Sequence, residues 1–129
     1  MSLNLDLAQQ FFAASAAGNT EAMAVLCAPD IVVRQNGGQP LGLKALLRFA
    51  AAVKAAAPDF RYENPVRYDT GEGFVEEHNV RGTAPDGTTF TIAVCVVATV
   101  SNGKISSMNE YLDTAAARPL MEALARPRG

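Results

Sequence analysis

The hydrophobic pattern of this chain changes period near residue 60. Before that point Leu5, Ala8, Phe11, Phe12 and Ser15 recur on one helical face, with Asn4 placed to cap the start and Gly18 where a C′ glycine ends a helix. Asn19 then reads as the N-cap of a short second helix whose apolar face is Ala22, Val25 and Leu26, and Pro29 blocks its continuation. Ile31–Gln35 is β-branched and short, a strand running into the loop Asn36–Pro40. A longer helix follows, with Leu43, Leu46, Leu47, Ala50 and Val53 as its apolar stripe and Pro58 at its end.

Beyond residue 60 the period is two. Arg61–Asp69, Phe74–Thr83, Thr88–Val100 and Lys104–Leu112 are strand candidates, too close in sequence for crossover helices, so the sheet is expected to be largely antiparallel. Pro85-Asp86-Gly87 and Asn102-Gly103 supply the tight turns. The run Ala93–Ala98 is apolar at every position, which predicts a central strand covered on both faces. A last short helix is expected after Asp113, capped by Asp113 or Thr114, or restarting at Pro119 with proline at N1.

Length and charge narrow the function classes. With 129 residues, 49% of them hydrophobic, the chain fits one domain over residues 1–129. A net charge of −2 creates no field for a nucleic-acid backbone or an anionic membrane, so neither partner is expected. No apolar run reaches the roughly 18 residues of a membrane helix, and no basic-then-apolar leader opens the chain, so a cytoplasmic location is expected. Cys27 and Cys95 lie far apart and read as small buried hydrophobes. With His78 as the one histidine they make no zinc pattern, and neither a metal nor another cofactor is expected.

The order helix, helix, strand, helix and four antiparallel strands, closing on Gly103-Lys104-Ile105 and Glu110-Tyr111-Leu112-Asp113, resembles the nuclear transport factor 2-like superfamily. Within it the chain is most similar to the SnoaL-like polyketide cyclases and the ketosteroid-isomerase-related group. The resemblance implies an α+β cone: a curved, mixed, mostly antiparallel sheet wrapped around three N-terminal helices, a cystatin-like architecture. It also implies a pocket for a small hydrophobic molecule and a homodimer formed through the outer sheet face. The isomerases' oxyanion-donating tyrosine falls on Phe11 and their aspartate base on Gln35, so steroid isomerisation by that route is not expected. The Arg-x-Asp pair of the limonene-epoxide-hydrolase-like members falls on Glu77-His78-Asn79, and their final aspartate on Glu110. In the SnoaL-like cyclases a carboxylic acid on the last strand serves as general acid/base, and Glu110 is the matching position.

The residues themselves add the following expectations. Glu110 shares a face with Met108 and Leu112, hence an inward one, where burial would raise its pKa towards values useful for proton transfer. Glu77 and Asn79 share one face of their strand and Glu76, His78 and Val80 the other, and local sequence leaves open which is interior. The resemblance favours Glu77 and Asn79 inside and His78 outside; His78 stays a catalytic candidate because imidazole titrates near neutral pH. Arg34, Asn36 and Asn79 are expected to bind a carbonyl or enolate oxygen, with Arg34 also able to neutralise Glu77 or Glu110. Phe11, Phe12 and Met108 are expected on the substrate wall, with Tyr62 as a donor at the cavity mouth. The resulting reading is a cofactor-free isomerase or aldol-type cyclase using Glu110 with Glu77 or His78; the alternative is a ligand-binding or dimerisation domain without chemistry.

Overall fold

Three helices fill the hollow of a curved sheet, and a fourth closes one end. The computed structural model describes residues 2–126, so Met1 and residues 127–129 of the expected single domain lie outside the described residues. Helix α1 spans Leu3–Ala17, α2 Thr20–Leu26, β1 Cys27–Gln35, α3 Leu43–Ala56, β2 Arg61–Asp69, β3 Gly73–Thr83, β4 Thr89–Ser101, β5 Lys104–Leu112 and α4 Arg118–Ala125. The sheet order is β1-β5-β4-β3-β2, antiparallel throughout except where β1 runs parallel to β5.

Local chemistry sets most element ends. Ser2, not Asn4, caps α1: its hydroxyl accepts from the Leu5 N–H at 3.2 Å, while Asn4 sits in the first turn and donates to Asp69 of β2. Gly18 ends the helix in the left-handed region at φ 69°, and the Asn19 side chain accepts from the Ala22 N–H at 3.1 Å to start α2. Of the expected apolar face of α2, Ala22 and Leu26 pack against the core and Val25 does not. Met23 is the residue buried in the core and Val25 is exposed, because the chain leaves α2 directly into β1 and Lys104 takes the Val25 carbonyl. β1 begins four residues earlier than the β-branched run, at Cys27, and accommodates Pro29 because it is an edge strand with its register shifted between Cys27 and Val32. Asn102 and Gly103 both take positive φ, 53° and 75°, the two-residue turn expected between β4 and β5. Asp113 accepts from the Ala115 and Ala116 N–H groups, capping a turn that leads into α4.

Burial along β4 alternates strictly at its start: Phe90 and Ile92 are buried, Thr91 and Ala93 exposed, and further along Val96 and Ala98 are buried while Val97 is exposed. The expectation of cover on both faces is therefore corrected: β4 is the middle strand, but all the helices lie on its inner side. Cys27 is buried, its thiol pushed up to about 11 by loss of hydration, whereas Cys95 lies partly exposed on the outer face. Among the described residues no helix is long and apolar enough to cross a membrane.

Two apolar clusters form the interior. One gathers Phe11, Phe12, Met23, Phe74, Ile105 and Met108 around α1 and α2; the other gathers Val53, Phe60, Phe90, Ile92 and Leu120 where α3 and α4 meet the sheet. Tyr62 and Val94 touch both, and a cavity lies at this junction.

The tightest backbone approach is at Gly73, where an added Cβ would lie 2.0 Å from the Ala98 carbonyl oxygen, inside the β3–β4 ladder. Gly73→Ala is expected to cost about 2 kcal/mol or more, since backbone cannot yield as a side-chain tip can. Gly42→Ser, at an uncapped helix start with open space around it, should be neutral to slightly stabilising. Urea midpoints of the two variants check the contrast.

Candidate functional site

The site is built on the inner face of β3. Phe74, Glu76, His78 and Val80 point inward, with Glu76 fully buried and His78 only 5% exposed. Glu77 and Asn79 lie on the outer face beside Cys95 and Tyr111, so the register implied by the resemblance is corrected by one residue. A signal for this was present in the sequence. The inner parity carries Phe74 and Val80 at its two ends, whereas the outer parity carries Val75 with Glu77 and Arg81, and the larger apolar side chains decide which face is buried.

A buried carboxylate needs partners for both oxygens. Glu76 has them: Oε1 accepts from Nε of Arg67, its cross-strand partner on β2, and Oε2 lies 2.6 Å from Nδ1 of His78. The His78 ring is held between Phe12 and Tyr62, with ring centroids at 5.0 Å and 4.5 Å. Since a carboxylate only accepts, Nδ1 carries a proton, and Nε2 is the nitrogen left for the cavity that His78 lines.

Opposite stands Glu110, brought inward on β5 by the same parity as Met108 and Leu112. Loss of hydration raises its pKa above the usual carboxylate range, while the Gln35 side chain and the charge of His78 pull the other way. Gln35 is its register partner on β1. The third polar group is Tyr62, whose hydroxyl lies 2.8 Å from Oγ of Ser15 on α1. Burial raises the phenol's pKa well above its ordinary value, and the negative charges of Glu110 and Glu76 add to the rise against the Ser15 hydrogen bond, so it remains an O–H donor. Apolar side chains, among them Phe11, Phe49, Phe60, Ile92, Leu120 and Met121, complete the wall. The cavity measures about 90 Å³. That is below the ~300 Å³ at which pockets for drug-sized ligands begin, so as it stands it takes a small molecule or the reacting end of a larger one.

Of the residues singled out from sequence, Glu110, His78, Tyr62, Phe11 and Phe12 converge on this cavity. Others do not. Arg34 is exposed and donates to the Gly38 carbonyl. Asn36 is exposed and brackets Leu112 through both its amide atoms, extending the β1–β5 pairing. Met108 is sealed in the core. Arg81 pairs with Glu63 at the edge of the sheet, and Arg34, held by the Gly38 carbonyl, does not neutralise Glu110. The sequence reading missed Ser15 and Gln35 as polar groups of the wall and the Arg67–Glu76 pair behind it. Ser15 was legible one turn after Phe12 on the same helical face, and Gln35 from its parity with Ile31 and Val33. Among the described residues no cluster of three metal-ligating side chains forms.

The arrangement sets a carboxyl whose burial favours its protonated form opposite an imidazole that has Nδ1 taken by Glu76 and lines the same apolar cavity.

Comparison with known proteins gives a consistent fold. The sequence matches the SnoaL-like domain family over residues 8–108. A candidate polyketide cyclase of Xanthomonas campestris pv. campestris superimposes with a TM-score of 0.81 at 20% identity, covering 92% of this chain and 96% of that one. A nuclear transport factor 2-like protein of Burkholderia xenovorans LB400 gives 0.76 at 26% identity, covering 92% and 95%. TerC, co-crystallised with polyporic acid, gives 0.78 at 23% identity, covering 94% and 99%. A search of curated proteins returned no match.

The raised pKa of Glu110 has a definite sign in stability. The native state holds this proton more tightly than the unfolded chain, so the stabilising effect of protonation is present below the unfolded value and is lost as pH rises through the folded one. Glu110→Gln, which mimics the protonated form, is expected to match wild type in acid and to exceed it by a few degrees in melting temperature at neutral pH. Melting curves of both proteins across pH 4 to 8 measure the difference; a gap that shrinks as pH rises contradicts it.

Proposed function

The chain belongs to the SnoaL-like domain family, and from that premise we propose that its cavity is an active site for proton transfer on a small, hydrophobic, carbonyl-bearing molecule. The observation that carries this reading is the pairing, in one apolar cavity, of His78, whose Nδ1 is taken by Glu76, with Glu110, whose burial favours the protonated carboxyl. Nε2 of His78 takes a proton from the carbon next to the carbonyl. Glu110 donates its proton to the carbonyl oxygen, and the Tyr62 hydroxyl, backed by Ser15, supplies a second hydrogen bond to that oxygen. The enol so formed has two outcomes. Where the enol is conjugated with a neighbouring carbon–carbon double bond, returning the His78 proton to the far carbon while Glu110 recovers its proton from the enol hydroxyl completes an isomerisation. Attack of the enol carbon on a second carbonyl of the same molecule, with Glu110 recovering its proton from the enol hydroxyl and His78 protonating the new alkoxide, completes an aldol ring closure. TerC, a protein of similar fold, was co-crystallised with polyporic acid, which is in keeping with a small organic molecule as ligand.

A second reading, binding without turnover, is favoured by Phe11 and Gln35, which stand on the cavity wall where the resemblance assigns a donor and a base. Deuterium uptake separates the two. Acetophenone, cyclohexanone and a 3-keto-Δ5 steroid are incubated with the protein in deuterium oxide and followed by mass spectrometry. Wild type is expected to accelerate uptake at the α-carbon of at least one, and His78→Gln to lower that acceleration about a hundredfold. Binding of these ketones with uptake no faster than in buffer would decide for the second reading.

We also propose that the protein pairs with a second copy through the outer sheet face. Two cross-strand ladders there, Tyr68–Val75–Val97–Asn109 and Val66–Glu77–Cys95–Tyr111, carry the exposed Tyr68, Val97, Val66 and Tyr111 in adjacent rows. Light scattering is expected to give twice the 13.6 kDa chain mass, and Val97→Lys to return it to the monomer.

A further inference from the structure

The pairing of β2 with β3 slips once, between Glu63 and Val66. Tyr62 stands opposite Val80 and Arg67 opposite Glu76, so five residues of β2 span the distance that four of β3 cover. A regular ladder from Tyr62 would set Val66 opposite Glu76 and turn Arg67 to the outer face. The extra residue lies in Asn64–Pro65, directly across from His78. Asn64 has φ 55° and Pro65 has no N–H, two features that suit a bulge and not a continuous ladder. The slip is what lets Tyr62 and Arg67 flank one histidine from the same side of the sheet.

We propose that Arg67 is a positioning residue for His78, acting through Glu76, and that the Asn64–Pro65 bulge exists to bring it there. Arg67, partly exposed at the edge of the site, donates to Oε1 of Glu76 and sets its positive charge against that carboxyl. An ionised Glu76 accepts only, so it holds the ring proton on Nδ1 and leaves Nε2 for the cavity. Without the guanidinium the buried carboxyl has two ways to relieve its charge. It takes up a proton and donates it to Nδ1, which moves the ring proton to Nε2, or it holds His78 as an imidazolium. Either way the lone pair on Nε2 is lost. The inference rests on the proton-transfer reading for its consequence in catalysis, but not for its consequence in the ring.

His78 is the one histidine of the chain, so nitrogen-15 spectra of the labelled full-length protein report it without ambiguity. In wild type the neutral ring is expected with Nδ1 protonated and Nε2 bare as the major form. Arg67→Met should make that form minor, and should lower α-carbon deuterium uptake by about tenfold or more, as loss of a group that orients an imidazole does. Arg67→Lys, which returns the charge, should restore much of both. Deleting Pro65 should reproduce the Arg67→Met spectrum with arginine still in the chain; should that variant not fold, the two Arg67 substitutions carry the test alone. A wild-type ring spectrum in Arg67→Met overturns the proposal. A changed spectrum in a protein that exchanges no ketone upholds the positioning role and overturns only the proton-transfer reading.

Discussion

Burying the Glu76 carboxylate is the constraint around which the inner face of the sheet is arranged. Removing an ion from water costs several kcal/mol even after relaxation, and only a well-made set of partners offsets it. Phe74 and Val80 carry this face of β3 inward, and Arg67 and His78 then take one Glu76 oxygen each, which ties the demand for satisfaction to the slip in β2 and to the ring nitrogen of His78 that is committed. The aromatic rings of Phe12 and Tyr62 then fix the imidazole from two sides. A feature that is costly for folding thus sets the geometry of the group best suited to proton transfer.

One cross-strand ladder ties the whole site together. Arg67, Glu76, Val96, Glu110 and Gln35 stand in register across β2, β3, β4, β5 and β1. The two carboxyl groups of this row are separated by Val96 and live in different surroundings. Glu76 faces a guanidinium and an imidazole; Glu110 faces an amide and apolar wall, and loss of hydration outweighs what Gln35 and His78 return. Same residue type, same face, two strands apart: one is tied to a guanidinium and an imidazole, and burial shifts the other towards its protonated form.

The two apolar clusters explain why a cavity persists at this place. Packing from α1 and α2 and packing from α3 and α4 meet at Tyr62 and Val94, where polar groups that need room and partners interrupt the close-packed core. The outer face has no such polar requirement. Its exposed Val66, Tyr68, Val97 and Tyr111 belong to a surface whose cover the chain's own helices, all on the inner side, cannot supply.

Local periodicity alone determined the helices, four of the five strand ranges to within a residue, both tight turns, and the inward direction of Glu110, because Met108 and Leu112 share its parity in a strand with one apolar face. The pocket itself, and with it Phe11, Phe12 and Tyr62 as its wall, came from the family resemblance and not from periodicity. What it left to the tertiary structure was every choice that depends on a partner in another strand. A period of two defines two faces of β3; the larger apolar ends of one parity, Phe74 and Val80, were the local hint, which became a choice when they met the core and Glu76 met Arg67. Arg34 and Asn36 have the right chemistry for a pocket, yet one closes a loop and the other extends a sheet edge, roles visible only once Gly38 and Leu112 are in place. The bulge that turns Arg67 inward adds a single residue to β2, too small a change to disturb the hydrophobic pattern, and cross-strand register is a property of two segments that no one segment encodes.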